Sequence, residues 1–361
     1  GGASSSTRAP SVSFGAGGQG GCAALASAMR EAADQIRAAA DAPGAALAAD
    51  TPDCGLVAVS SGEGQPGEPL RPGLLLRIGS ITKSYVSAAL LEEAAAGALS
   101  LDDALEAWVP GFPNGAAITV RELLNHTSGV FNYTDDATFD AALASDPGKH
   151  YAPEDLVAIA AQHPPYFAPG QGFRYSNTDY VLAGLVLEAA SGQPLASELR
   201  TRLLGPAMLS HTFLAGDEPV GGELAHAFVD GEDVTSLFDP SIAWAAGAMV
   251  ATASDAAAWG RALWSGAVLD AASQAELLET VPTGLAGESY GLGVIVLDAT
   301  SFAGARAIGH NGAFPGYLSW ALYFPDVDAS FACTVTTTPS DLSAIDPIVP
   351  TMAGILGASA P

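Results

Sequence analysis

Arg77-Ile78-Gly79-Ser80-Ile81-Thr82-Lys83-Ser84 is the stretch on which the reading of this chain turns. A short apolar run, Leu74 to Arg77, ends at Gly79-Ser80, and a helix is predicted from Ile81 to about Ala96. Positions i and i+3 share a face on the first turn of a helix, so the amine of Lys83 can reach the Ser80 hydroxyl. Desolvation that holds such an amine partly neutral makes it a base able to activate a serine without histidine. At a helix start the Ser80 N–H is also placed to receive an oxyanion. An S-x-x-K tetrapeptide is ordinarily a solvated helix start, but the chain has only two lysines, Lys83 and Lys149, which makes coincidence a weaker account.

Two further groups carry chemistry. Tyr175-Ser176-Asn177 lies in a loop after Pro169-Gly170 and before a helix from Thr178; a tyrosine hydroxyl can relay a proton and an Asn amide can hold a carbonyl. The plain alternative is a helix N-cap beside a core aromatic. His310-Asn311-Gly312 ends a strand, with Gly309 before it and Ala313 after it, and the glycines permit close backbone approach by a ligand. A rival serine pattern, Gly287-Glu288-Ser289-Tyr290-Gly291, is followed by Asp298 and His310 in α/β-hydrolase order. A nucleophile elbow needs a strand before the serine and a helix after it. Here a loop precedes Ser289 and the apolar run Leu292 to Leu297 follows, so this pattern is set aside.

Around these groups, 361 residues at 49% hydrophobic and 14% charged suffice for a large core and exclude disorder or a disulfide-stapled miniprotein. Thirteen basic against 39 acidic residues, a formal charge of −26, repel phosphates and exclude a nucleic-acid partner. The richest apolar stretch, Ile242 to Ala253, is too short for a membrane span, which needs about 18 residues. The sequence opens at Gly1 without a basic segment followed by an apolar one, the expectation being a mature or intracellular chain. Residues 1–21 read as a flexible Gly/Ser/Ala leader suited to a tether. Strand signals occur before residue 100 and again from Tyr290 to Leu297, Ala305 to Gly309, Leu318 to Phe324 and Ser330 to Thr336, while the middle is helical. The predicted organisation is therefore an α/β domain from 22–99 and 285–361, with a mainly helical domain, 100–284, inserted between.

Three cysteines lack metal-ligand spacing, and neither metal nor cofactor is expected. Cys22 opens an amphipathic helix, and Cys54 follows a strand from Gly44 to Ala49 that runs back along it. Some 17 helical residues at ~1.5 Å and six or seven strand residues at ~3.3 Å both cover roughly 22–26 Å, which brings the two sulfurs to one end. A Cys22–Cys54 bridge is the expectation, with Cys333 a buried thiol, and it implies export.

Taken in order, S-x-x-K, Y-x-N and H-x-G resemble the penicillin-recognising serine enzymes. The likeness extends through Ile118-Thr119-Val120-Arg121-Glu122-Leu123-Leu124-Asn125-His126-Thr127-Ser128-Gly129 and Tyr290-Gly291-Leu292-Gly293, and looks closest to soluble secreted D-alanyl-D-alanine carboxypeptidases and their class C β-lactamase and esterase relatives. It implies a five-stranded antiparallel sheet flanked by helices, with an inserted all-α domain. It makes Ser80 the acylated nucleophile, Lys83 its proton partner and Tyr175 the relay to the leaving group. Asn177 would line the cleft with Trp244 as an aromatic wall, and the N–H groups of Ser80 and Ala313 would form the oxyanion hole. His310, Asn311 and Gly312 stand where many relatives carry K-T-G, which leans away from a dedicated β-lactamase.

The likeness further implies a small peptide, ester or β-lactam substrate, a secreted, periplasmic or cell-envelope location, and a monomer. A D-alanyl-D-alanine carboxypeptidase is the first reading; an esterase or a D-amino-acid amidase or aminopeptidase is the alternative, and a non-catalytic penicillin-binding sensor the reading from another class. One departure bears on the choice: the arginine that reads a terminal carboxylate is replaced by Ile295, within Val294-Ile295-Val296. An isoleucine cannot pair with a carboxylate. Arg306, on the next strand, is the residue that could take its place.

Overall fold

The computed structural model describes residues 19–339 and 341–358. Most of the predicted leader lies outside them, and Gln19, Gly20 and Gly21 open helix α1 (Gln19–Ala39). Leu25, Met29, Ala32, Ala33 and Ile36 recur at helical spacing and are buried, so α1 lays one face on the sheet. The sheet begins with β1 (Gly44–Thr51), β2 (Gly55–Gln65) and β3 (Glu68–Pro69). It resumes late in the chain with β4 (Val281–Pro282), β5 (Glu288–Tyr290), β6 (Ile295–Leu297), β7 (Ala307–Phe314), β8 (Tyr317–Phe324) and β9 (Ala329–Val335). Its order is β3-β2-β1-β9-β8-β7-β6-β5-β4, with every neighbour antiparallel.

Five contiguous strands, β2-β1-β9-β8-β7, run seven to eleven residues and form the expected five-stranded sheet. Strands of two or three residues extend it to nine, and these are too short to leave a periodic signature. One predicted strand is corrected. The run Tyr290 to Leu297 is a hairpin: Gly291 N–H bonds the Val294 carbonyl, Gly293 takes φ +77°, and Tyr290 pairs with Ile295.

Both faces of β1 are buried by small side chains. Ala45, Leu47 and Ala49 pack in the core formed with α1 and the last helix, α5 (Ile348–Leu356), while Ala46 and Ala48 join the other core. That second core surrounds α2 (Thr82–Ala95), α3 (Asn177–Ser191) and α4 (Ala253–Ala262). Helix α2 is buried nearly all round, which makes it the central post of the molecule. The middle of the chain is mainly helical but not all-α. Thr212–Leu214 and Met249–Ala251 form a three-stranded sheet with Leu76–Arg77, and Phe228–Val229 pairs with Glu232–Asp233.

Cys22 and Cys54 are bridged, with Cα atoms 5.5 Å apart, and Cys333 is a buried free thiol, as the rise arithmetic predicts. The bridge pins the start of α1 to the β1–β2 turn. Its closed loop, with a sequence separation of 32 residues, corresponds to about 3–4 kcal/mol of restricted unfolded-state entropy. Cys22→Ser is expected to lower the thermal midpoint by several degrees while leaving activity intact, because the site lies on other elements. Scanning calorimetry checks this, and an unchanged midpoint would show that α1 is held by packing alone.

Candidate active site

The turn before α2 is set by Gly79. Its φ is +53°, and a Cβ there would fall 2.6 Å from the Ala313 nitrogen and 2.7 Å from its carbonyl oxygen. Only glycine lets the turn carrying Ser80 press against β7 so closely. Strands β7 and β8 are joined by the two-residue loop Pro315-Gly316, so Phe314 and Tyr317 close the hairpin as a hydrogen-bonded pair. Alternation then directs the backbone of Gly312 and His310 to β8, and that of Ala313 and Asn311 to the opposite edge. Strand β6 covers that edge only as far as Gly309, the partner of Ile295. The Ala313 N–H therefore lies on an open edge beside Ser80, the arrangement an oxyanion hole requires. Gly312 is also constrained, since a Cβ there would collide with the Ile78 carbonyl.

Lys83, the second residue of α2, is fully buried. Its Nζ lies 3.0 Å from Ser80 Oγ, 2.8 Å from Asn177 Oδ1 and 2.7 Å from the Ala246 carbonyl oxygen. Two of these partners can only accept and take two of its N–H bonds; once the amine is neutral, its lone pair is left for the Ser80 hydroxyl proton. Burial pulls the Lys83 ammonium well below the ordinary lysine range. Geometry and desolvation thus describe the same base.

Tyr175 places its ring 4.8 Å from Lys83 Nζ. Burial pushes its phenol up, opposed by a hydrogen bond with Ser80, so it rests protonated beside the nucleophile. Asn177 opens α3 and is fixed from behind: its N–H bonds Asn132 Oδ1 at 3.0 Å and its Nδ2 bonds Thr134 Oγ1 at 3.4 Å.

The structure brings Ser80, Lys83, Tyr175, Asn177 and Ala313 together and relocates the other predicted residues. His310 is buried. Its Nδ1 faces the Asn311 carbonyl oxygen, an acceptor, so Nδ1 carries the proton and Nε2 accepts from Tyr290 Oη at 2.9 Å. Burial, aided by Lys83, pulls the imidazole down to about 3, against the Asn311 bond. A neutral His310 with both nitrogens engaged supports the wall of the site and is no free acid or base. Asn311 is exposed along the open edge.

Trp244 is a core residue, 4% exposed, rather than a cleft wall. Its indole packs where α3 carries Gly184, and its Nε1 donates to Asp217 Oδ2 at 2.7 Å. Held there at φ +36°, it shapes the turn that offers the Ala246 carbonyl to Lys83.

Ile295 is buried in the core shared by α1 and α5, paired with Tyr290 across the hairpin and with Gly309 of β7. Arg306 is exposed just before β7, seven residues from Ala313, or about 23 Å along an extended strand. It cannot replace a carboxylate-reading arginine at Ser80. Ser289 sits within β5, paired with Val296 and Pro282, and the rival triad does not assemble because His310 is committed to Tyr290. The Ala246 carbonyl and Tyr290 escape sequence reasoning: the first has no side-chain signal, and the second carries only that of a strand start, Tyr-Gly-Leu-Gly.

A family model described as Beta-lactamase matches residues 29–348. The chain belongs to this family. It is 34% identical over 146 residues to penicillin-binding protein 4* of Bacillus subtilis, covering 40% of this chain and 31% of that protein. The chain spans less than half the length of the curated relatives it matches first, 31%, 42% and 49%. Solved structures align more fully. The D-stereospecific amidohydrolase from Streptomyces sp. is 31% identical with a TM-score of 0.79, covering 91% of this chain and 98% of that one. The D-amino acid amidase from Ochrobactrum anthropi SV3, complexed with L-phenylalanine amide, is 26% identical with a TM-score of 0.83, covering 93% and 98%. As a member of the Beta-lactamase family, this chain has the β-lactamase/transpeptidase fold.

Proposed function

We propose that this chain hydrolyses amides and esters of D-amino acids bearing a free amino group, through an acyl-enzyme on Ser80. The observation that carries the chemistry is the buried Lys83 amine, whose N–H bonds are taken by Asn177 Oδ1 and the Ala246 carbonyl and whose lone pair meets Ser80 Oγ at 3.0 Å. As Oγ attacks the carbonyl carbon its proton passes to Lys83, and negative charge collects on the oxygen facing the N–H groups of Ser80 and Ala313. Tyr175 gives its proton to the leaving group and regains one from the Lys83 ammonium. Water then attacks the ester, and the same groups act in reverse. A complete proton path of this kind speaks against a non-catalytic sensor.

The substrate class rests on charge and likeness. A chain at −26 attracts cations and repels free carboxylates. Arg306 lies far from Ser80, and Arg174, beside Tyr175 in sequence, is paired with Asp135 at 3.2 Å. A D-stereospecific amidohydrolase and a D-amino acid amidase are similar over nearly their whole solved chains. The Cys22–Cys54 bridge supports an oxidising compartment for this activity.

The deciding measurement is kcat/KM for D- and L-phenylalaninamide, a D-alanyl-D-alanine peptide and its C-terminal amide. D-phenylalaninamide should be favoured, with the free-acid peptide no better than its amide. A tenfold preference for the free acid would restore the carboxypeptidase reading.

A further inference from the structure

We propose that His126 is a positioning residue for Tyr175 and Asn177, and that Asp179 serves it as a neutral hydrogen-bonded acid rather than as a counter-ion. The proposal rests on the Ser80 hydrolase reading and adds two residues to its proton path. His126 follows the helix Val120–Leu124 and sits at φ +61°, a left-handed conformation costing a histidine about 1 kcal/mol or more. It is fully buried. What holds it there is the segment carrying the tyrosine. The His126 carbonyl accepts the Arg174 N–H at 3.0 Å, and its Nδ1 accepts the Ser176 N–H at 3.3 Å. The backbone on both sides of Tyr175 is thus tied to one residue, whose ring centre lies 4.3 Å from the tyrosine ring.

Asp179 stands two residues after Asn177 in the first turn of α3. Its Oδ2 is 2.9 Å from His126 Nδ1, and its Oδ1 receives the Ser128 hydroxyl at 2.5 Å. The protonation state follows from the donors. Nδ1 has one lone pair; with the Ser176 N–H aimed at that nitrogen, the proposed tautomer shares the lone pair with Oδ2 and keeps the proton of that contact on the carboxyl group. The other groups facing the pair are Lys83 from α2, Tyr175, Tyr180 from α3, Tyr290 from β5 and His310 from β7. Burial acts the same way on both partners, raising Asp179 and lowering His126. A neutral pair buried behind Lys83 orients the tyrosine without adding charge beside the base.

The test compares two esters of one acid, an ethyl ester and a p-nitrophenyl ester, on the full chain. Ethoxide must be protonated as it leaves; p-nitrophenolate need not be. A displaced Tyr175 is therefore felt by the first. His126→Ala is expected to lower kcat for the ethyl ester about 100-fold, against threefold or less for the p-nitrophenyl ester. His126→Asn, which tolerates the left-handed backbone and offers Oδ1 to the Ser176 N–H, should recover most of that loss. Asp179→Asn keeps a donor for Nδ1 and an acceptor for Ser128, and should likewise exceed Asp179→Ala by at least tenfold with its acid limb unmoved.

Equal losses on the two esters, or no recovery in His126→Asn, would overturn the positioning role. An acid limb moved to lower pH in Asp179→Asn would overturn the neutral acid, because removing an anion destabilises the Lys83 ammonium. Rapid labelling of Ser80 by a fluorophosphonate, in which an Oγ–P bond forms and fluoride leaves, checks that each variant is folded. Both arms use ester chemistry, so absence of a D-amino-acid preference would sink the substrate reading while leaving this test readable.

Discussion

Replacing Lys83 with methionine is expected to slow hydrolysis of an activated ester about 1,000-fold at neutral pH, within the range for losing a general base. Methionine fills the volume of the lysine stem and removes only the amine. The fold should survive with a lowered midpoint, since Asn177 Oδ1 and the Ala246 carbonyl each lose a buried donor, a loss of about 1–3 kcal/mol apiece. The pH dependence carries the sign. Burial destabilises the charged form, so Lys83 gives up its proton below the ordinary lysine value of about 10.4. Activity should therefore rise with pH along a limb lying below that value and level off once the amine is neutral. Lys83→Met should lack this limb. Kinetics across the pH range, with circular dichroism on both proteins, decide the matter; a well-folded Lys83→Met enzyme of near-normal rate would mean that another group takes the Ser80 proton.

The contact between Ser80 and Lys83 was legible because it is local: a spacing of three residues on one helical turn fixes it whatever the rest of the chain does. The disulfide was legible for a similar reason, since helix and strand rises are fixed and two matched lengths return to one end. Trp244 was not, because an aromatic side chain fits a cleft wall and a core equally well, and only the surroundings of Gly184 and Asp217 decide. The strand from Tyr290 to Leu297 was misjudged: Leu292 and Val294 are apolar and buried, so the run reads as one strand, whereas Gly291 and Gly293 fold it into a hairpin that pairs Ile295 with Tyr290. Arg306 lies next to β7 in sequence, but seven residues of extended chain separate it from Ala313 and carry it out of reach. The Ala246 carbonyl belongs to the backbone, and no residue type announces a carbonyl that tertiary structure aims at a lysine.

Gly79→Ala is expected to cost about as much as losing the base, although the added group is one methyl. At φ +53° an L-residue carries a penalty of about 1–2 kcal/mol, which the fold can absorb. The larger effect is steric. The new Cβ would lie 2.6–2.8 Å from three backbone atoms of Ala313, and a backbone segment cannot rotate aside as a side chain does. Either the turn carrying Ser80 or the edge of β7 must retreat, and the two N–H groups facing the oxyanion then no longer converge. Loss of one such donor costs about 10²–10³ in kcat, so parting the pair should cost about 1,000-fold. The Lys83 contacts run through α2, Asn177 and Ala246, so the acid limb of the pH profile should stay where it is in the wild-type enzyme. A slowed enzyme with an unmoved limb separates this lesion from damage to the base. A limb that moves would mean that Gly79 acts through Lys83, and a Gly79→Ala enzyme of full activity would show that the Ala313 N–H does not hold the oxyanion.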